Sequence, residues 1–239
     1  MHPVVVVTGA SGGLGASTLA AVTATVLARD GSPVLIDAAF GSGGVDATVA
    51  AEHVEGLRWG DLAEHDGAVD AARLRQALPQ GPVPVLAARG QRPSPVAVRE
   101  VVAGFAALGP VVVDLPCSGR VPRVWSELAD VVVVIVGVRP RWLRDGEAFA
   151  RSLGPPPPSS TLLVTRGPRR AEQVSERTAD HLGLSLLAHL ADDSGVVRDE
   201  AQGRSPRPKG PVGEVARAIA EALPSVSESL ADHVLGLAS

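Results

Sequence analysis

The sequence predicts an α/β fold: a doubly wound, mostly parallel sheet flanked by helices. Three observations predict it. Short runs rich in β-branched residues recur without polar alternation, as strands buried on both faces require. Stretches with helical spacing lie between them. The first run passes directly into a glycine-rich turn and then a helix, a connection suited to gripping an anion.

The elements follow in order. Strands are expected at 4–8, 34–36, 83–86, 111–113, 131–136 and 162–165. Helices are expected at 17–29, which is Ala-rich, then at 69–78, 95–108, 142–153 and 171–182, with an amphipathic one at 212–223. Gly31-Ser32-Pro33 should close the first helix, Gly31 as a left-handed cap and Pro33 as a stop. The four prolines at 155–158 read as a stiff loop, because the strand–helix rhythm continues on both sides. Residues 1–239 thus read as one domain, with a core over 3–223 and a C-terminal helix over 225–237.

Composition limits the chemistry. A chain of 239 residues, 45% hydrophobic, can bury a substantial core. It has no Tyr and no Asn, and of its 22 Lys and Arg only Lys209 is lysine. A tyrosine-dependent mechanism is excluded, and a lysine-dependent one must use Lys209 or a partner chain. The single cysteine, Cys117, excludes an internal disulfide framework and points to the cytoplasm. Cys117 reads as a small buried residue. Six scattered histidines show no metal-ligand spacing. The longest apolar run, 131–138, is far below the roughly 20 residues of a membrane span. The opening apolar run, 3–7, is too short for a secretory signal. A net charge of −4 argues against a generally basic nucleic-acid binder.

The stretch from Val4 to Thr18 carries the most information. Gly12, Gly13 and Gly15 allow a tight turn whose N–H groups converge on one anion, and the helix beginning near Ala16 adds its positive end. Two families share such a loop. Thr8-Gly9, Gly13 and Gly15 resemble the T-G-x-x-x-G-x-G of the short-chain dehydrogenases, with Asp37 at the place of a ribose-binding acid. Their proton relay needs a Tyr and a nearby Lys, both missing here, so only a non-catalytic NAD(P)-binding relative remains.

Ser11-Gly12-Gly13-Leu14-Gly15-Ala16-Ser17-Thr18 also resembles the deviant P-loop of the MinD/ParA superfamily, x-K-G-G-x-G-K-[ST]-[ST], with Ser11 and Ala16 in place of both lysines. Further segments resemble that superfamily in order. Val111-Val-Val-Asp-Leu-Pro116 is similar to a Walker B strand, and Leu35-Ile-Asp-Ala-Ala39 to the first switch, with Ala39 where a second acid is usual. Gly43-Gly44-Val45-Asp46 is similar to the G-G-L-D that follows. Gly56-Leu-Arg-Trp-Gly-Asp-Leu62 resembles a segment of septum-site-determining, CpaE-like proteins. Thr165-Arg166 stands where the family has Asn-Arg, and 187–193 with 201–203 stand where it has the loop beside the adenine. Members of this CpaE/TadZ-like branch often carry an N-terminal receiver-like domain; this sequence opens on the P-loop strand.

The resemblance implies an ATP- and Mg²⁺-binding spatial regulator. It would act as a homodimer with pilus, secretion or division machinery. The implied nucleotide contacts are 11–18, Thr165, Arg166 and Asp192; Ser17 and Asp114 would hold Mg²⁺, with Asp37 a further metal or catalytic candidate. Without either lysine, the expectation is a pseudo-ATPase or very slow ATPase. Arginines after the strands at 131–136 and 162–165 could substitute, among them Arg139, Arg141, Arg144, Arg166, Arg169 and Arg170. The cluster Arg204, Arg207 and Lys209 is weak ground for DNA binding, and the C-terminal stretch, with Glu228 and Asp232 and no basic residue, argues against a membrane anchor. Trp59 is expected in packing or a dimer surface, and Trp125 and Trp142 in the core. A nucleotide-free scaffold is the third reading.

Overall fold

Strands that are apolar at every position must be covered on both faces, and this chain covers them. The computed structural model describes residues 1–40, 44–63, 67, 69–153 and 160–223. Seven strands form one sheet: β1 (Val4–Gly9), β2 (Val34–Asp37), β3 (Val85–Leu86), β4 (Val111–Leu115), β5 (Val131–Gly137), β6 (Ser160–Gly167) and β7 (Ser185–Ala191). Their order is β3-β2-β4-β1-β5-β6-β7, and every pairing is parallel. Residue parity assigns the faces. Val5 and Val7 enter one core and Val4 and Val6 the other. In β5, Val131, Val133 and Ile135 join the first core, whereas Val134 and Val136 enter a third cluster. Each fully buried valine contributes about 1.5–3 kcal/mol relative to exposure.

Helix α1 (Ala16–Leu27) and helix α9 (Gly210–Ala222) cover one face. Helix α4 (Pro95–Leu108) covers the other beside α3 (Ala71–Ala77) and α5 (Arg123–Leu128). Ser94 caps α4 by accepting from the Ala97 N–H at 3.1 Å, and Pro95 fills its first position. Helices α6 (Pro140–Leu153) and α7 (Ser175–Leu182) complete that side. Two short helices, α2 (Val45–Thr48) and α8 (Ser194–Ala201), flank the carboxyl ends of the strands.

Several expectations change. The first helix stops at Leu27 with Ala28 in a right-handed cap, and Gly31 is not left-handed. Residues 187–191, expected as loop, lie in β7, and a 3₁₀ turn (Arg169–Val174) precedes α7. Helices α2, α5 and α8 are too short for sequence periodicity to register. Trp59 is fully buried and donates from Nε1 to the Asp37 carbonyl at 2.9 Å, so it pins β2 and offers no dimer surface. Trp125 is core, while Trp142 is only partly buried. The predicted helix at 225–237 and the proline loop at 155–158 lie outside the described residues. Among the described residues no helix is long and apolar enough to cross a membrane.

Candidate functional site

The strand order reverses around β1, and the loop after β1 opens at the carboxyl edge of the sheet, where open α/β sheets place their ligands. In that loop Gly13 and Gly15 have φ of 75° and 88°, left-handed conformations that cost other L-residues about 1–2 kcal/mol. A Cβ on Gly9 would meet the Ser11 carbonyl oxygen at 2.7 Å. Gly15 caps α1 without a side-chain hydrogen bond, and the first turn of α1 holds no acid. The amides at the head of α1 therefore have no side-chain cap, and the helix dipole would favour an anion there. Leu14 serves through its backbone alone, since its side chain is in the core.

Asp37 and Asp114 are register partners at the ends of β2 and β4. The Ser17 side chain hydrogen-bonds Asp114. Burial pushes the Asp114 carboxyl up to about 7; Ser17 opposes that rise and Asp37 adds to it. Asp37 is spent on backbone. Its Oδ1 accepts from the Ala39 N–H at 2.8 Å and its Oδ2 from Val45 at 2.9 Å and Ala88 at 3.3 Å. Burial still raises its pKa against those three bonds. Asp37 thus ties Ala39, the first residue of α2 and Ala88 together through its carboxylate. Asp46, also buried, is paired with Arg89 at 2.9 Å, which ties α2 to the segment after β3.

A cavity of about 360 Å³ lies over the glycine loop, lined by residues 11–18 with Thr48, Asp114, Cys117 and Glu200. Among the described residues no Lys or Arg lines it. A second cavity, about 390 Å³, shares Thr18, Thr48 and Glu200 with the first and adds Val196, Arg204 and Pro206. A third, about 470 Å³, shares Ser11, Gly12 and Cys117 and adds Arg141, Trp142 and Asp145. The three make one trough, with an acid-lined middle and an arginine at each end. Ser11, where the signature lysine would stand, donates to Asp145 Oδ2 at 2.5 Å.

The other implied contacts lie elsewhere. Thr165 is fully buried. Its Oγ1 is 2.7 Å from Ser175 Oγ and 2.9 Å from His189 Nδ1, while His189 Nε2 is 3.2 Å from the Pro168 carbonyl. A carbonyl only accepts, so in the neutral ring Nε2 donates to it and Nδ1 accepts from a hydroxyl, that of Thr165 or that of Ser175 at 3.3 Å. Arg166 faces Asp192 at 3.3 Å, each engaged with the other at the ends of β6 and β7, and neither lines the trough. Cys117 is exposed, correcting its reading as buried; its Sγ is 3.3 Å from the Ala10 carbonyl. Arg207 is held bidentately by buried Asp199 at 2.9 and 3.0 Å, which removes one charge from the basic cluster. Lys209 lines a separate small cavity with Asp193 and Arg207, away from the glycine loop. No group of three or more metal-ligating side chains occurs among the described residues. Asp145 and Glu200 were missed by sequence reading. They reach the loop only through the packing of α6 and α8, and no local motif marks them.

The strand order decides between the two glycine-loop families. In the dinucleotide-binding order β1 lies beside β2; here β4 separates them. The strand order therefore departs from the dinucleotide-binding fold. Comparison with known structures agrees. The chain is similar to a ParA family ATPase from Chlorobium tepidum TLS (TM-score 0.75, 16% identity, 90% of this chain and 96% of that one). It is also similar to the MinD chain of the Aquifex aeolicus MinC:MinD cell division complex (TM-score 0.73, 17% identity, 93% and 98%). A third similar structure is the septum site-determining protein MinD from Pyrococcus horikoshii OT3, complexed with Mg-ADP (TM-score 0.67, 16% identity, 92% and 95%). These likenesses establish the MinD/ParA-type α/β fold with its all-parallel sheet. No protein-family model matches the chain. In sequence it is 33% identical, over 192 residues, to uncharacterised proteins of two Mycobacterium tuberculosis strains. The match takes in 78% of this chain but 54% of theirs, so the chain spans about half the length of those relatives.

Proposed function

We propose that this protein is a nucleotide-binding spatial regulator with a degenerate P-loop, its residues 3–223 acting as one domain. One observation carries the reading: the backbone cradle keeps its left-handed glycines and the Ser17–Asp114 pair, while no cation lines it. The cradle fits a Mg-bound nucleotide in its amides and its metal-facing oxygens. The N–H groups from Gly12 to Ser17 would hold phosphate, and Ser17 and Asp114 would hold Mg²⁺. Mg²⁺, when bound, neutralises charge on the phosphates. Val196 and Pro206 offer an apolar wall for the base.

Phosphoryl transfer depends on positioning and charge stabilisation. By analogy with removing an oxyanion donor, each missing lysine raises the barrier by about 3–4 kcal/mol, roughly 10²–10³-fold. Binding therefore outweighs turnover in the function we infer: a homodimer of the CpaE/TadZ-like kind, placing a pilus or secretion apparatus or the septum. The MinD partner in the Aquifex complex, MinC, supports the idea of a protein client. The test is a phosphate-release assay beside nucleotide titration. Saturable ATP binding with turnover at least about 100-fold below that of Ala16→Lys is expected. Wild-type turnover equal to that of the lysine variant would contradict a pseudo-ATPase.

A further inference from the structure

Arg141 lies one helical turn before Asp145 on α6, so both side chains share a face. That face closes the α6 end of the trough, against Ser11 and Gly12. Asp145 is already engaged, by the Ser11 hydroxyl. Arg141 has no ion pair or side-chain hydrogen bond among the described residues, although it stands beside that carboxylate. Its neighbours on the helix differ. Arg139 stacks over Trp142, with the guanidinium 4.9 Å from the ring centre, and Arg144 lines none of the three cavities.

The two ends of the trough suit different parts of a nucleotide. The α8 end has Val196 and Pro206 in its wall. The α6 end presents a hydroxyl, a carboxylate and a free guanidinium to the front of the glycine loop. A terminal phosphate placed there meets Asp145, whose charge repels it, unless a cation offsets that charge. Arg141 is the cation lining that end, and its planar fork suits phosphate oxygens.

We propose that Arg141 supplies, within one chain, the positive charge the glycine loop lacks, by contacting the terminal phosphate of a bound nucleoside triphosphate. It thereby sets a preference for triphosphate over diphosphate. This rests on the nucleotide-binding reading above.

The experiment is calorimetric titration of the full chain with ATP and with ADP, both with Mg²⁺. It compares wild type with Arg141→Ala, Arg141→Lys and Arg144→Ala, each checked by circular dichroism. Arg141 is exposed and unpaired, so its removal strands no buried partner. Arg141→Ala should weaken ATP about tenfold and ADP by less than about twofold. Arg141→Lys should recover part of the loss, and Arg144→Ala, with the same change of net charge, should match wild type. A wild type that binds both nucleotides while Arg141→Ala keeps the ATP-to-ADP ratio overturns this proposal alone, as does an equal loss in Arg144→Ala. A wild type that binds neither nucleotide overturns the nucleotide reading and this proposal together.

Discussion

The carboxyl edge of the sheet divides into two regions that have fared differently. At the ends of β1, β2 and β4 the candidate anion site is built from backbone: two left-handed glycines, an open helix head, and Asp114 against Ser17. At the ends of β6 and β7 the polar groups have turned to one another. Thr165, Ser175 and His189 satisfy each other in the interior, and Arg166 faces Asp192. Backbone geometry is set by the fold and by glycine, so it survives the loss of lysines. Side-chain recognition has no such support.

The largest effect that would sharpen this contrast is the pH response of Asp114. Its folded pKa, about 7, lies above the ordinary aspartate value of 3.8. The folded state therefore binds more protons between those values, and stability is greatest below the unfolded pKa and falls as pH rises through 7. From below pH 4 to above pH 7 the loss is on the order of 4 kcal/mol, of which about 3 kcal/mol falls between pH 5 and pH 8. Denaturant unfolding at pH 5 and pH 8 should show it, and Asp114→Asn should flatten it. On the other side, Thr165→Val should cost about 1–3 kcal/mol, because it leaves His189 Nδ1 and Ser175 Oγ with only their longer 3.3 Å contact to each other. Its nucleotide affinity should stay within about twofold of wild type; a larger drop in a titration would return Thr165 to the site. Gly15→Ala should cost about 1–2 kcal/mol through its left-handed backbone, with no clash, since nothing lies within 4 Å of the added carbon. Nucleotide affinity should fall with it. Arg166→Ala is the smallest change, under about 1 kcal/mol by thermal unfolding, because Asp192 is 61% exposed.

The sheet was legible because strands buried on both faces leave uninterrupted runs of valine. β7 escaped: Ser185-Leu-Leu-Ala-His-Leu-Ala191 lies at the edge, is only partly buried along most of its length, and carries a histidine whose partners are distant in sequence. The glycine loop was legible for the same reason that it survives, since glycine announces its own backbone. Ser17 and Asp114 were singled out only through the resemblance to the MinD/ParA motifs. Asp145 and Glu200 were not, because their place beside the loop is a product of helix packing across more than a hundred residues. The opposed fates of the chain's cations were hidden likewise. Arg207 is locked by Asp199, Lys209 lies in a separate cavity, and Arg141 stands free at the mouth of the trough.

The central claim is that a lysine-free cradle still holds a nucleotide through backbone and Mg²⁺. Calorimetric titration of the wild-type chain with ATP, with and without Mg²⁺, tests it most directly. Saturable binding that requires Mg²⁺ is the result this account predicts. No heat at millimolar ATP, with the protein folded, would contradict it.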